Sequence, residues 1–196
     1  KRSSYNTIAF LPGSRANELI KLFPYFNLAY EYLLLNSPKI NIFIPTLPHL
    51  EKKIIKYTKN WKINVLISTD KKIIEENYLF INKALVCSGT ASLEIAKRNI
   101  PQLVIYKLNF LTELIAKKFI KIKYANILNI IQNKKIIPEI INSALNNDIF
   151  LREFKNLIHN NKDNLMQIKN INIALKKIEV NQPPYLIAAN RIIDNL

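Results

Sequence analysis

The sequence predicts an α/β fold built on a doubly wound parallel sheet, with helices covering both faces. Five short, continuous apolar runs, typical of strands buried on both faces, alternate with segments of helical periodicity. Both glycines of the 196-residue chain follow such a run, where a strand turns into a helix. After about residue 122 the strand pattern stops, and only helical segments follow.

The first strand is predicted at residues 7–11, and Pro12-Gly13 ends it in a tight turn. Ser14 is predicted to cap the next helix, because its hydroxyl can accept a hydrogen bond from a first-turn amide. Apolar residues then recur at spacings of three and four, which gives this helix one apolar face. Pro24 lies within the helix and is expected to kink it or to start a second helix.

The following units repeat this scheme. Further strands are predicted at 40–44, 63–67, 84–87 and 102–106, and further helices at 49–59, 70–77, 91–98 and 110–121. The later part of the chain is predicted to form helices at 136–146, 149–160, 164–176 and 185–196. We therefore expect a single domain over residues 1–196, with an α/β core at 1–146 and C-terminal helices at 147–196.

The chain is basic, with a formal net charge of +15. Ile, Asn and Lys are abundant and share AT-rich codons, so the charge has two explanations: genome composition, or an anionic partner such as nucleic acid or a membrane. One Cys cannot form an internal disulfide or a Cys-based zinc site, which indicates a reducing compartment. No apolar run reaches the roughly 18 residues that span a bilayer.

The two glycine turns are the candidate ligand site, because ligands bind at the carboxyl ends of the strands in an open parallel sheet. They are Leu11-Pro12-Gly13-Ser14-Arg15 and Cys87-Ser88-Gly89-Thr90-Ala91. Backbone N–H groups and a helix N-terminus at each turn would suit a phosphate. The alternative is that glycine only permits a tight turn there.

Charged and hydroxyl side chains accompany these turns. Arg15 offers a planar fork of donors to a diphosphate or a sugar, or it pairs with Glu18 on the same helix. Ser88 and Thr90 carry hydroxyl groups beside the second glycine. Glu94, one helical turn beyond Thr90, either accepts hydrogen bonds from a ribose or acts as a capping-box acid.

Several other classes of site are disfavoured by the sequence. The chain lacks both the dinucleotide fingerprint G-x-G-x-x-G and the Walker P-loop. Ser14 does not lie in a nucleophile elbow, which argues against a hydrolase that pairs it with His49. His49 and His159 are too far apart in sequence to indicate a metal site, and Cys87 is expected to be a core residue.

Two motifs resemble those of the lipid-A-disaccharide synthase family. They are Phe10-Leu-Pro-Gly-Ser-Arg15 with Glu18, and Ser88-Gly-Thr-Ala-Ser-Leu-Glu94. Further matches include Pro101, Tyr106, Tyr124, Asn129 and Pro138-Glu139, and the resemblance runs from about residue 7 to residue 142.

This resemblance implies a GT-B fold, in which two Rossmann-like domains face each other across a cleft, and the chain resembles the C-terminal, donor-binding domain. The family transfers diacylglucosamine from its UDP donor to diacylglucosamine 1-phosphate with inversion, releases UDP, and uses no metal or other cofactor. It makes the disaccharide core of lipid A in Gram-negative bacteria. The resemblance therefore also implies a cytoplasmic protein, peripheral at the inner face of the bacterial inner membrane.

The resemblance assigns UDP contacts to the matching positions. Gly13, Ser14 and Arg15 would lie at the diphosphate, Ser88, Gly89, Thr90 and Ala91 would form a second phosphate-facing turn, Glu94 would hold the ribose, and Asn129 would line the donor pocket. No catalytic residue is assigned, because the family's proposed base and much of its acceptor site lie on an N-terminal GT-B domain, in the same or a partner chain. The chain alone is therefore expected to bind donor without turnover.

Three points stay open from the sequence alone. The Lys-rich helix predicted at 110–121 either contacts an anionic membrane surface or packs on the core with a solvated basic face. A UDP-sugar 2-epimerase-like domain is an alternative enzyme class of similar fold. A non-enzymatic basic module that binds nucleic acid or membrane is the other alternative, although a nucleic-acid partner is not expected.

Overall fold

The computed structural model describes residues 6–107, 124–178 and 192. The strands are β1 (Thr7–Leu11), β2 (Asn41–Pro45), β3 (Val65–Ser68), β4 (Ile81–Cys87), β5 (Gln102–Tyr106) and β6 (Glu139–Ile141). The α-helices of the described part are α1 (Ala16–Asn36), α2 (Pro48–Thr58), α3 (Lys71–Tyr78), α4 (Thr90–Lys97), α5 (Ile127–Gln132), α6 (Asn147–His159) and α7 (Asn161–Ile178). A short 3₁₀ helix, Asn142–Ala144, follows β6.

The strands form one parallel sheet in the order β3-β2-β1-β4-β5-β6. Strands β2 and β3 lie on one side of β1, and strands β4, β5 and β6 lie on the other side. The sheet therefore changes direction between β1 and β4, where Leu11 lies opposite Val86. This is the doubly wound α/β fold that the sequence predicts, and its topological switch point lies between β1 and β4.

Two apolar layers cover the sheet. Ile8 and Phe10 of β1 pack in the layer that contains α1, α2 and α6. Ala9 and Leu11 alternate with them and pack in the layer that contains α3, α4, α5 and α7. Because side chains point alternately to the two faces of a strand and both faces are covered, β1 consists of apolar residues throughout.

Every predicted strand is confirmed, with bounds that shift by a few residues. The predicted helices at 49–59, 70–77, 91–98, 149–160 and 164–176 are confirmed as α2, α3, α4, α6 and α7. The helices predicted at 110–121 and 185–196 lie outside the described residues. Among the described residues, no helix combines the length and the apolar character needed to cross a bilayer.

The helix predicted at 136–146 is wrong, because this segment forms β6 and the short 3₁₀ helix. Glu139, Ile140 and Ile141 pair in register with β5 and complete that side of the sheet. Pro138, which precedes β6, has no N–H to donate and disfavours a helix here, but its carbonyl accepts a hydrogen bond from Val104 N at 2.9 Å.

Helix α1 differs from the prediction in two ways. Arg15, not Ser14, is its N-cap residue, and Glu18 supplies the acceptor that satisfies the first amides. The helix also continues through Pro24, so Pro24 does not start a second helix.

Candidate functional site

An open cavity of about 460 Å³ lies at the carboxyl edge of the sheet, beside the switch point between β1 and β4. All predicted site residues except Asn129 line it: Gly13, Ser14, Arg15, Ser88, Gly89, Thr90, Ala91 and Glu94. The structure therefore brings together two turns that are separated by more than seventy positions in the chain. The remaining wall is formed by residues of α3, by the end of β2 and the turn after it, and by Leu11, Glu18 and Cys87.

Gly13 allows the first turn to close against the side chain of Glu18. Its φ angle is +107°, a backbone conformation that favours glycine. A Cβ atom at this position would lie 2.8 Å from Glu18 Oε2 and 3.2 Å from Cys87 Sγ. The turn therefore requires glycine both for its backbone conformation and for its close packing.

The amides of the first turn are already bound by the Glu18 carboxylate. Glu18 Oε2 accepts hydrogen bonds from Ser14 N at 3.2 Å and from Arg15 N at 3.3 Å, and Oε1 accepts one from Arg15 Nη1 at 3.0 Å. The Arg15–Glu18 pair considered from the sequence is therefore present. The Arg15 side chain is nevertheless 77% exposed and has further N–H donors, so this turn offers an anion the guanidinium instead of its backbone.

The second turn is open. Gly89 is the N-cap of α4 with φ +154°, and a Cβ atom there would meet nothing within 4 Å. Thr90 and Ala91 are the first residues of α4, and the first N–H groups of a helix have no partner within it. Gly89, Thr90 and Ala91 line the cavity, so the positive end of the helix dipole lies at its wall, and such a helix end suits phosphate groups.

The position of Glu94 excludes the capping-box role. Gly89 is the N-cap of α4 and has no side chain, and the third helical position is occupied by Ser92. The Glu94 carboxylate instead accepts a hydrogen bond from Arg98 Nη2 at 3.3 Å and lines the cavity. Glu94 therefore has a structural partner in Arg98, and its contact with a ribose stays a prediction.

The expectation that Asn129 lines the pocket is not supported, because its side chain is fully buried and both ends of its amide are engaged. Oδ1 accepts from Ile136 N at 2.8 Å and Ile137 N at 2.9 Å, and Nδ2 donates to Ile137 O at 2.8 Å and Glu139 Oε1 at 2.9 Å. Asn129 therefore stabilises the connection between α5 and β6.

The segment that precedes α5 contacts the second turn and the start of α4, and Glu139 of β6 holds it in place. The buried Glu139 carboxylate accepts hydrogen bonds from Ala125 N at 2.9 Å and Asn126 N at 2.8 Å. Asn126 Nδ2 donates to Ser92 Oγ at 3.0 Å, and Ser88 Oγ donates to the carbonyl of Ala125 at 3.3 Å. The motif residues thus have structural partners in a segment that follows them by more than thirty positions.

Sequence reasoning missed several residues near the cavity. Tyr78 and Thr46 line it, and the Thr46 hydroxyl is buried with no hydrogen-bond partner in the described part of the chain. His49, to which the sequence analysis assigns no role, lies at the first turn, with Nε2 3.1 Å from the carbonyl oxygen of Ser14. A carbonyl only accepts, so Nε2 is the donor. His49 follows β2, and this position is the only sequence signal that could have indicated that it lies near the first turn.

Burial controls the ionisation of two groups in the cavity wall. Burial and then the negative charge of Glu18 raise the pKa of Cys87 to about 12, while Arg15 opposes the shift. Burial and then Glu94 raise the pKa of Tyr78 to about 12. At neutral pH Cys87 is therefore a thiol and not a nucleophilic thiolate, which agrees with its expected place in the core. Within the described ranges, no group of three or more His, Cys, Asp or Glu side chains could hold a metal ion.

Sheet order and site together define a Rossmann-like domain of the type that forms half of a GT-B glycosyltransferase. The crystal structure of Acinetobacter baumannii MurG matches 86% of this chain and 45% of that chain, with a TM-score of 0.55 and 14% identity. A structure described as trehalose-6-phosphate from E. coli bound with UDP-2-fluoro glucose matches 89% and 41%, with a TM-score of 0.52 and 12% identity. These similarities establish the fold.

The family follows from sequence comparison. The family model of lipid-A-disaccharide synthetase matches residues 3–189. Lipid-A-disaccharide synthase of Rickettsia canadensis is 32% identical over 183 residues, which are 92% of this chain and 47% of the relative. That of Acinetobacter baylyi is 32% identical over 185 residues, 89% of this chain and 46% of the relative. The chain belongs to the lipid-A-disaccharide synthetase family.

The match confirms the resemblance found in the motifs and does not favour the epimerase or the basic-module alternative. The chain spans between a third and a half of the length of the first curated relatives it matches.

Proposed function

We propose that this chain supplies the donor-binding part of a lipid-A-disaccharide synthase. It would hold the UDP of UDP-diacylglucosamine while the sugar is transferred to diacylglucosamine 1-phosphate. One observation carries the proposal: the two glycine turns of the family motifs meet in a single cavity at the switch point of the sheet. Ligands of doubly wound folds bind at this position.

Groups in the cavity suit the diphosphate and the ribose of UDP. The open amides of Thr90 and Ala91, at the positive end of α4, suit the diphosphate. Arg15 offers its exposed guanidinium to the same group, and Glu94 offers a carboxylate to the ribose hydroxyls. As the glycosidic bond of the donor breaks, negative charge develops on the departing UDP, and these donors would stabilise it.

We further propose that the catalytic base and most of the acceptor site lie on a separate N-terminal GT-B domain, in the same or a partner chain. A general base must reach the acceptor hydroxyl within hydrogen-bond distance, and Glu94 is assigned to the ribose. The match to about half the length of several relatives supports this division. We propose one donor-binding domain over residues 1–196. For the described part of the chain, helices α6 and α7 support this, because they pack on opposite faces of the sheet.

We also propose that the protein works as a peripheral protein at the inner face of the bacterial inner membrane. Both proposed substrates carry acyl chains, so they reside in a bilayer. The net charge of +15 would favour an anionic membrane surface.

Calorimetry with UDP and inorganic pyrophosphate tests the proposed function. The unmodified chain should bind both, and Glu94→Gln should weaken UDP binding while the affinity for pyrophosphate stays nearly constant. Glu31→Gln, at an exposed position of α1, is the matched control and should change neither affinity. Absence of UDP binding, or an equal loss for both ligands in Glu94→Gln, would contradict the assignment.

A further inference from the structure

Arg98, which follows the last residue of α4, joins Glu94 of the second motif to helix α3 in a cluster whose other members lie outside the motifs. This Arg98 cluster consists of Glu75, Tyr78, Glu94 and Arg98. Arg98 Nη2 donates to both carboxylate oxygens of Glu75 at 2.8 Å and to Glu94 Oε1 at 3.3 Å. Glu75 and Tyr78 lie more than fifteen positions before Glu94, so the cluster forms only in the folded chain.

The guanidinium group of Arg98 is held in place on two sides. It lies 4.3 Å from the centroid of the Tyr78 ring, a distance at which a cation is attracted to the face of the ring. Tyr78 is 3% exposed and packs edge-on against Phe43, with ring centroids 6.3 Å apart. Glu75 holds the guanidinium group from another direction. Arg98 therefore presents a nearly fixed donor to Glu94.

A fixed donor matters because Glu94 is a half-exposed side chain with several rotatable bonds. The salt bridge to Arg98 engages Oε1 of this carboxylate. The cluster thus reduces the entropic cost of ordering Glu94 as a hydrogen-bond acceptor for a ligand.

We propose that Arg98 is a positioning residue, which orients Glu94 so that its carboxylate accepts hydrogen bonds from the 2′- and 3′-hydroxyls of a ribonucleotide. The inference rests on the proposed function, since it assumes that Glu94 contacts the ribose of UDP. It adds a specificity: the cavity prefers a ribonucleoside diphosphate to its 2′-deoxy analogue, and Arg98 sustains that preference without touching the ligand.

Calorimetry with UDP, 2′-deoxy-UDP and pyrophosphate on the full chain tests this role. Arg98→Met retains an apolar stem over Tyr78 but removes the guanidinium. It should weaken UDP binding about fivefold to tenfold, the size of one net hydrogen bond. The loss should be smaller for 2′-deoxy-UDP, which keeps only the 3′-hydroxyl, and pyrophosphate binding should stay within about twofold. Arg98→Lys keeps the charge but loses the fork, so it should restore part of the preference. Arg152→Met changes an exposed arginine of α6 in the same way and should have no effect.

The outcomes separate this inference from the function on which it rests. If the unmodified chain binds UDP and prefers it to 2′-deoxy-UDP, but Arg98→Met retains that preference, the positioning role is overturned and the UDP site stands. An equal loss for all three ligands, together with a lower melting temperature, would show that Arg98 only stabilises the fold. If the unmodified chain binds UDP and 2′-deoxy-UDP equally well, Glu94 does not bind the 2′-hydroxyl, and the inference is overturned. A chain that binds no UDP overturns the proposed function and this inference together.

Discussion

Adding one methyl group to each glycine turn should have different consequences, because the two positions differ in their surroundings. Both glycines have positive φ angles, +107° at Gly13 and +154° at Gly89, so alanine is strained at either position. That strain costs about 1–3 kcal/mol. At Gly13 the new Cβ atom would also lie 2.8 Å from Glu18 Oε2 and 3.0 Å from Glu18 Cβ, whereas at Gly89 it would meet nothing within 4 Å.

Gly89→Ala should therefore lower the free energy of unfolding by about 1–3 kcal/mol, from backbone strain alone. Gly13→Ala should lose this amount and a further ~1–3 kcal/mol from overpacking against Glu18 and Cys87. Urea denaturation of both variants measures the difference. Ser14→Ala is the control. The Ser14 side chain is exposed and lies between Gly13 and Arg15, so this change should alter stability by less than about 0.5 kcal/mol.

We expect the opposite order for UDP binding: Gly89→Ala, the less destabilised variant, should lose more UDP affinity than the folded fraction of Gly13→Ala. The methyl group of Gly89→Ala enters open space at the turn where we place the diphosphate, so UDP affinity should fall steeply while most of the protein remains folded. Equal stability of the two alanine variants would refute the packing argument for Gly13. Unchanged UDP affinity in Gly89→Ala would refute the placement of the diphosphate at the second turn.

Three further predictions address single side chains. Arg15→Ala should weaken UDP binding by about 1.5–3 kcal/mol, the range for a hydrogen bond to a charged group, and unchanged affinity in calorimetry would remove Arg15 from the site. Asn129→Asp places a second carboxylate against buried Glu139, so the free energy of unfolding should fall by about 3 kcal/mol or more in urea denaturation. A decrease below about 1 kcal/mol would contradict the buried network around Asn129. Cys87, with its pKa raised to about 12, should be about one part in 10⁴ thiolate at pH 8. Its alkylation by iodoacetamide, followed by mass spectrometry, should therefore require unfolding, and rapid labelling of the folded chain would show that the thiol is accessible.

The strands and the place of the site could be predicted because both depend on local sequence. A strand buried on two faces is a short apolar run, and β5 was predicted at its observed bounds, Gln102–Tyr106. Both glycine turns follow such runs, so the sequence alone predicts a ligand site at the carboxyl edge of the sheet. The strand order then explains why these two turns meet, since β1 and β4 are neighbours.

The features that were missed depend on contacts between distant segments. Strand β6 is three residues long and is a strand only because β5 offers it a free edge, which no local pattern reveals. Burial of Asn129 follows from β6, since Ile137 and Glu139 supply its partners. The role of Glu18 was hidden for a different reason: its side chain reaches back to the amides of Ser14 and Arg15, in place of the predicted Ser14 cap.

The contrast between the two turns has an electrostatic reason. At the switch point, the N-termini of α1 and α4 lie side by side, and each carries a partial positive charge. Glu18 neutralises the first helix end from within the protein, so an anionic ligand need not satisfy both. The second end has no side-chain cap, because its N-cap is Gly89. A diphosphate would therefore bind at one open helix end and one exposed guanidinium, that of Arg15, and would not have to displace Glu18. The two glycines thus differ in their surroundings: Gly13 makes room for a carboxylate of the protein, whereas Gly89 borders open space, where we propose that a phosphate of the ligand binds.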